Sequence, residues 1–228
     1  MQSIKKGETM KKLVLVLVAM FALVGLTACG EEKKTEKKPE VKQEQKEKEV
    51  PQVVVNAEVN GKYFTEPTRH GVVFKDGSNG EKSVLRGLDD QLAFYDKLVA
   101  LGATPGNNVK MTDMAVDKDH GVAVDGSKLD VYIKWDGQKE IPFSDIIKAT
   151  EGGNTDLDVR FGGNLAAATE KQTGCILCLD SCAVGITSNA NYKTGSTQNN
   201  VVQFFGNDKV LPADGTKVQV IFRLHEDK

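Results

Sequence analysis

Several signatures are missing from this 228-residue chain. There is no strong excess of one charge, because the formal net charge is −2. Residues 1–28 carry four Lys and one Glu, so the remainder stands at −5. Mild acidity of this kind gives no support to nucleic-acid binding, which shows a basic patch. Long hydrophobic runs are also lacking. The longest, residues 13–24, is twelve residues, against the roughly 18–20 that span a bilayer as a helix. Aromatic residues make up only 6% while glycine appears 22 times, which implies many turns. No Ser-His-Asp order, paired-carboxylate signature or zinc-protease helix is present, and the reading leans away from an enzyme. The sequence RFGGN at 160–164 lacks the Lys and Ser/Thr of a phosphate loop, so it reads as a turn.

What is present begins at the N-terminus. Lys5, Lys6, Lys11 and Lys12 precede the short apolar core, which is the pattern of a signal peptide. The run ends in Leu26-Thr27-Ala28-Cys29, similar to the bacterial lipobox, so Cys29 is the expected lipidation site. Two or more acyl chains hold a protein stably at a membrane. Residues 31–50 contain seven Glu and seven Lys in twenty positions. Such a segment cannot bury enough apolar surface to order itself. The expected organisation is therefore a lipoprotein signal peptide at 1–28, a disordered charged tether at 29–52 and a domain at 53–228. The chain would be lipid-anchored on the extracytoplasmic face of the cell membrane. Gly30 is not the Asp that retains lipoproteins at an inner membrane.

Within the domain, residues 53–64 read as a hairpin turning at Asn60-Gly61, and residues 71–77 as a second strand. Leu88, Leu92, Tyr95, Leu98 and Val99 recur with a helical period, which predicts a helix over 89–101 stopped by Gly102. Leu129, Val131, Ile133 and Trp135 alternate as in a half-buried strand. Residues 141–150 suggest a second helix started by Pro142 or capped by Ser144. A short strand at 157–161 and two late strands near Val201 and Lys217 complete the reading. Because strands and helices do not alternate regularly, the expected class is α+β: a single domain of mixed or antiparallel sheet with two main helices.

The chemistry concentrates in TGCILCLDSCAVGITSNANY, residues 173–192, which holds Cys175, Cys178 and Cys182. Leu179 stands where c-type haem attachment needs His. A dithiol of thioredoxin type has the Cys175–Cys178 spacing but no evident redox helix. A disulfide would leave one thiol over. A metal site uses all three, since thiolates suit iron–sulfur clusters, zinc or copper. The further ligand would be Asp180, His70, His120, His225 or an exogenous group, although His70 also reads as a structural histidine and the other two as surface residues. Lys11-Lys12 is not a twin arginine, so export would thread an unfolded chain and a cluster would have to be inserted outside.

His70-Gly71-Val72-Val73, LAFYDKLVALGATPGNN at 92–108, RFGGN, the cysteine stretch and VLPADGTKV at 210–218 together resemble the YdjY-domain family of bacterial proteins. The resemblance covers most of residues 53–228. It implies an exported or lipid-anchored protein with a ferredoxin-like cysteine motif, and brings no activity with it. Many relatives place Pro after the third cysteine, where this chain has Ala183. The expected function is a membrane-anchored lipoprotein with a three-cysteine metal or iron–sulfur site, passing electrons to a redox partner at the cell surface if a cluster is held. The alternatives are a binding module stapled by a disulfide and a thiol–disulfide redox protein.

Overall fold

In the computed structural model, residues 50–115, 117, 119–150 and 156–226 are described. They belong to a unit spanning 47–228. The expected signal peptide, Cys29 and nearly all of the tether lie outside the described residues.

Eleven strands follow in chain order: β1 Val53–Val59, β2 His70–Phe74, β3 Ser83–Gly87, β4 Lys128–Trp135, β5 Gln138–Pro142, β6 Ile147–Ala149, β7 Val159–Arg160, β8 Cys175–Cys178, β9 Thr187–Asn189, β10 Phe204–Gly206 and β11 Lys217–Leu224. The main sheet runs β11-β1-β3-β2-β8-β9-β7-β4, and β4 then pairs back onto β11. The sheet therefore closes into an eight-stranded barrel, with β5 hung from β4 as a hairpin. Most pairs are antiparallel, while β2–β3 and β8–β9 are parallel. Closure removes the free edges that an open sheet must protect.

The expected α+β class with two main helices is thereby corrected. Helix α1, Gln91–Ala100, forms where its period placed it, with Asp90 capping the amides of Leu92 and Ala93 at 2.8 and 3.0 Å. Its Phe94 and Leu98 are buried, and Phe94 meets Phe222 of β11 with ring centroids 4.7 Å apart. The other helix, α2, is the seven-residue Leu165–Lys171. Residues 141–150 are not helical. They finish β5, make a 3-10 turn at Phe143–Ile146 and enter β6, which pairs with β10. A short run buried on several sides has no period that separates helix from strand, and here the pairing partner decided it.

The expected hairpin at Asn60-Gly61 is also absent. Asn60 has φ −112°, whereas a two-residue I′ turn needs positive φ at both central positions. The chain instead makes a 3-10 turn at Gly61–Phe64, and β1 pairs with β11 and β3. The two late strands are real but do not pair with each other, since β10 joins β6 and β11 joins β1 and β4. Among the described residues no helix is long and apolar enough to cross a membrane.

Candidate metal centre

Cys175 and Cys178 are the two ends of β8, and Cys182 follows after a short loop. Strand β8 lies between β2 and β9. In a regular strand, residues three apart face opposite sides of the sheet. The β2–β8 ladder is irregular here: His70 stands opposite Cys178 and Val73 opposite Cys175, with register shifts between them. The result is that both sulfurs approach one ring. His70 Nδ1 lies 3.7 Å from Cys175 Sγ and 4.0 Å from Cys178 Sγ. One potential ligand atom from each of His70, Cys175 and Cys178 falls within 4.8 Å of the other two.

All three residues are buried, with Cys175 and Cys178 at 0% exposure. Cys182 joins the same cluster with Val73, and Met114 and Val184 pack on it. Asn79 Nδ2 reaches Cys175 Sγ at 3.9 Å. A Cβ at Gly185 would come within 3.0 Å of Cys178 Sγ and 2.9 Å of Ser188 Oγ, so glycine keeps the space beside that sulfur open. The buried Ser188 hydroxyl has no hydrogen-bond partner among the described residues. The three cysteines stand as free thiols.

The thiols divide by environment. Hydrogen bonding from Cys178 holds the Cys175 thiol well below the ordinary range, against the opposing effect of burial and with help from His70. Cys178 is pushed well above that range by its bonds to Cys175 and Cys182 and by burial. Cys182 is lowered by Cys178 and, against burial, by the charge of Arg69. Metal ligation needs the deprotonated sulfur, and two of the three are already biased toward it.

The other candidate ligands sit elsewhere. Asp180 is fully buried but committed: Arg69 Nη2 donates to it at 2.6 Å and Nε at 2.9 Å, and Thr197 Oγ1 donates at 2.8 Å. His120 is exposed and paired with Asp117 at 2.7 Å, while His225 pairs with Asp130 at 2.8 Å. Of the three histidines only His70 joins the cysteines.

The loop after β8 is fixed by side chains. Asn164 is a non-glycine residue with φ +50°, and its Nδ2 donates to the carbonyls of Cys182 and Gly185 at 2.9 and 3.2 Å. Asn189 Nδ2 donates to Leu179 O at 3.1 Å, and Thr187 Oγ1 to Ile176 O at 2.8 Å. The small polar residues of 187–192 therefore brace the cysteine loop. The amides of Gly162, Gly163 and Asn164 all donate to protein acceptors, so RFGGN is a turn and not an anion cradle. Arg69, Asn164 and Met114 escaped the sequence reading. Only Asn164 carried a local hint, an Asn after two glycines, which tolerates the left-handed region.

The distances suit a single ion. Ligands at ~2.3 Å for sulfur and ~2.0 Å for nitrogen around a tetrahedral ion lie about 3.6 Å apart. The observed 3.7 and 4.0 Å separations are close to that. Such a set of two thiols and one imidazole could hold a metal ion. By fold and site the described domain is a small closed β-barrel carrying a buried His-Cys group that could hold a metal ion.

Residues 41–223 match the YdjY domain. The chain belongs to that family, as its cysteine stretch and flanking motifs suggested. It is similar to "Uncharacterized protein YdjY" of Escherichia coli (strain K12), with 41% identity over 220 residues covering 93% of this chain and 95% of the relative. No solved structure matches the chain.

Proposed function

We propose that this is an exported, lipid-anchored protein whose barrel domain binds one soft metal ion through His70, Cys175 and Cys178, while Cys182 lies beside Cys178 but outside that close group. The observation that carries the reading is the crowding of three potential ligand atoms within 4.8 Å inside the barrel wall. Anchoring rests on Cys29 in its lipobox context, with the Lys/Glu-rich segment as the spacer. The role that follows is metal carriage or storage at the extracytoplasmic face.

Two alternatives fit less well. An iron–sulfur cluster takes at most two protein ligands on any one iron, which does not match three mutually close ligand atoms. A thiol–disulfide enzyme must present a sulfur to its substrate, and Cys175 and Cys178 have no exposed surface.

The test is metal content of the full chain purified from membranes without oxygen. The expected result is one zinc or copper per chain, lost in Cys178→Ser and diminished in His70→Ala. Stoichiometric iron with acid-labile sulfide would replace the single ion by a cluster and make electron transfer the working model. A metal-free protein that turns over a disulfide would sink the metal reading.

A further inference from the structure

Cys182 has a neighbour that ordinary packing only half explains. Met111 and Met114 share the 3-10 turn Met111–Ala115. Residues three apart on a helix of three residues per turn stack on one side. Met114 is half-buried and packs against the cysteine cluster. The amide of Ala183, the residue after Cys182, donates to its Sδ at 3.4 Å. Met111 is 46% exposed. Methionine is a common gap filler, which accounts for Met114 but not for an exposed methionine three residues before it. One side of the turn thus carries an exposed thioether at Met111 and a half-buried one at Met114 against the cysteine cluster.

We propose that this turn is the port by which Cu(I) reaches the buried site: Met111 takes the ion at the surface, and Met114 passes it to Cys182 and Cys178. The proposal rests on the single-ion reading above and adds which ion enters and by what route. Thioethers are neutral, soft ligands that favour Cu(I), whereas Zn(II) relies on thiolate, imidazole and carboxylate. A thioether has no proton to lose, so the ion can be held at the port before any thiol ionises. Each cysteine that then ligates releases its proton to solvent. Copper enters and remains as Cu(I), and no electron is transferred.

The experiment follows capture by the full chain under anaerobic conditions, with Cu(I) held in acetonitrile or with Zn(II) alone. Cu(I) binding is read from the rise of thiolate-to-metal absorbance, and Zn(II) binding from depletion of a chromophoric chelator complex. Met111→Leu and Met114→Leu are expected to slow Cu(I) capture by about tenfold while leaving Zn(II) capture and the final stoichiometry unchanged. Because Met111 is exposed, its variant puts no core packing at stake. Unchanged Cu(I) rates in both variants would overturn the proposal, as would equal slowing of Zn(II), which signals damaged packing. Wild-type protein that takes up Zn(II) but no Cu(I) would end the copper port and leave the metal site standing. Uptake of neither ion would remove both.

Discussion

Strands β4 and β11 are eight residues each and pair over seven consecutive positions, whereas β8, β9 and β7 have four, three and two residues. The first pair closes the barrel with a long antiparallel ladder, and Ile133, Val220 and Phe222 are fully buried beneath it. Across the ring, the wall around β8 buries Asp180, Ser181, Thr187, Ser188 and Asn189 alongside the cysteines. Buried polar groups are as a rule hydrogen-bonded, and there the bonds come largely from side chains, the Ser188 hydroxyl being left without a partner among the described residues. One face is held by area and ladder, the other by particular donors and acceptors. Local rules tend to be broken at functional sites, and in this barrel the irregular face is the one that holds the thiols.

The largest effect is expected on the regular face. Phe222→Ala empties a fully buried position packed on Phe94 and should cost about 3–5 kcal/mol in urea unfolding. Metal bound per folded chain should not change; a loss of metal would mean that the two faces are coupled. On the site face, Arg69→Met leaves the Asp180 carboxylate buried without its cation. Removing one partner of a buried pair costs about 3 kcal/mol, and the 18% exposure of Arg69 keeps the effect below that of Phe222→Ala. The double variant with Asp180→Asn should recover part of the loss. No recovery would show that Arg69 acts mainly through Cys182.

The same division decides what the sequence could show. The period of α1 and the alternation in β4 were legible because each buries one stripe or one face of an element. Barrel closure was not, because it depends on β4 meeting β11 across some ninety residues of chain, and no local pattern encodes a partner. The second helix was misassigned because Phe143, Ile146 and Ile147 are all buried, which erases the periodic signal. At the site, residue types were readable and geometry was not. Three cysteines pointed to metal, but the choice of His70 over His120 and His225 follows from the shifted β2–β8 register. Asp180, a candidate ligand by spacing, is taken by Arg69, 111 residues away in sequence.

A smaller effect is expected from Asn164→Gly. Glycine keeps the positive φ, so the change isolates the two bonds to Cys182 O and Gly185 O. Leaving buried carbonyls without donors costs about 1–3 kcal/mol. Because the loss falls on the loop carrying Cys182, metal release to a chelator should quicken more than global stability falls, as measured by chelator competition beside urea unfolding. Equal changes in both would deny the loop a separate role.

The smallest effect should come from Lys217→Gln on β11. Its ammonium pairs with Glu58, and the lysine side chain is 68% exposed. Exposed ion pairs contribute about 0–1 kcal/mol, because water screens the charges and ordering two long side chains costs entropy. The variant removes a charge from the regular face while sparing its ladder and its buried side chains. A loss near that of Asn164→Gly would mean that the long ladder leans on its surface charges, and the contrast between a face held by area and a face held by particular bonds would fail. A change of a few tenths of a kcal/mol, with metal content intact, leaves that contrast in place: on this face stability is spread over buried area, and on the other it sits in a handful of donors whose removal is felt at the thiols.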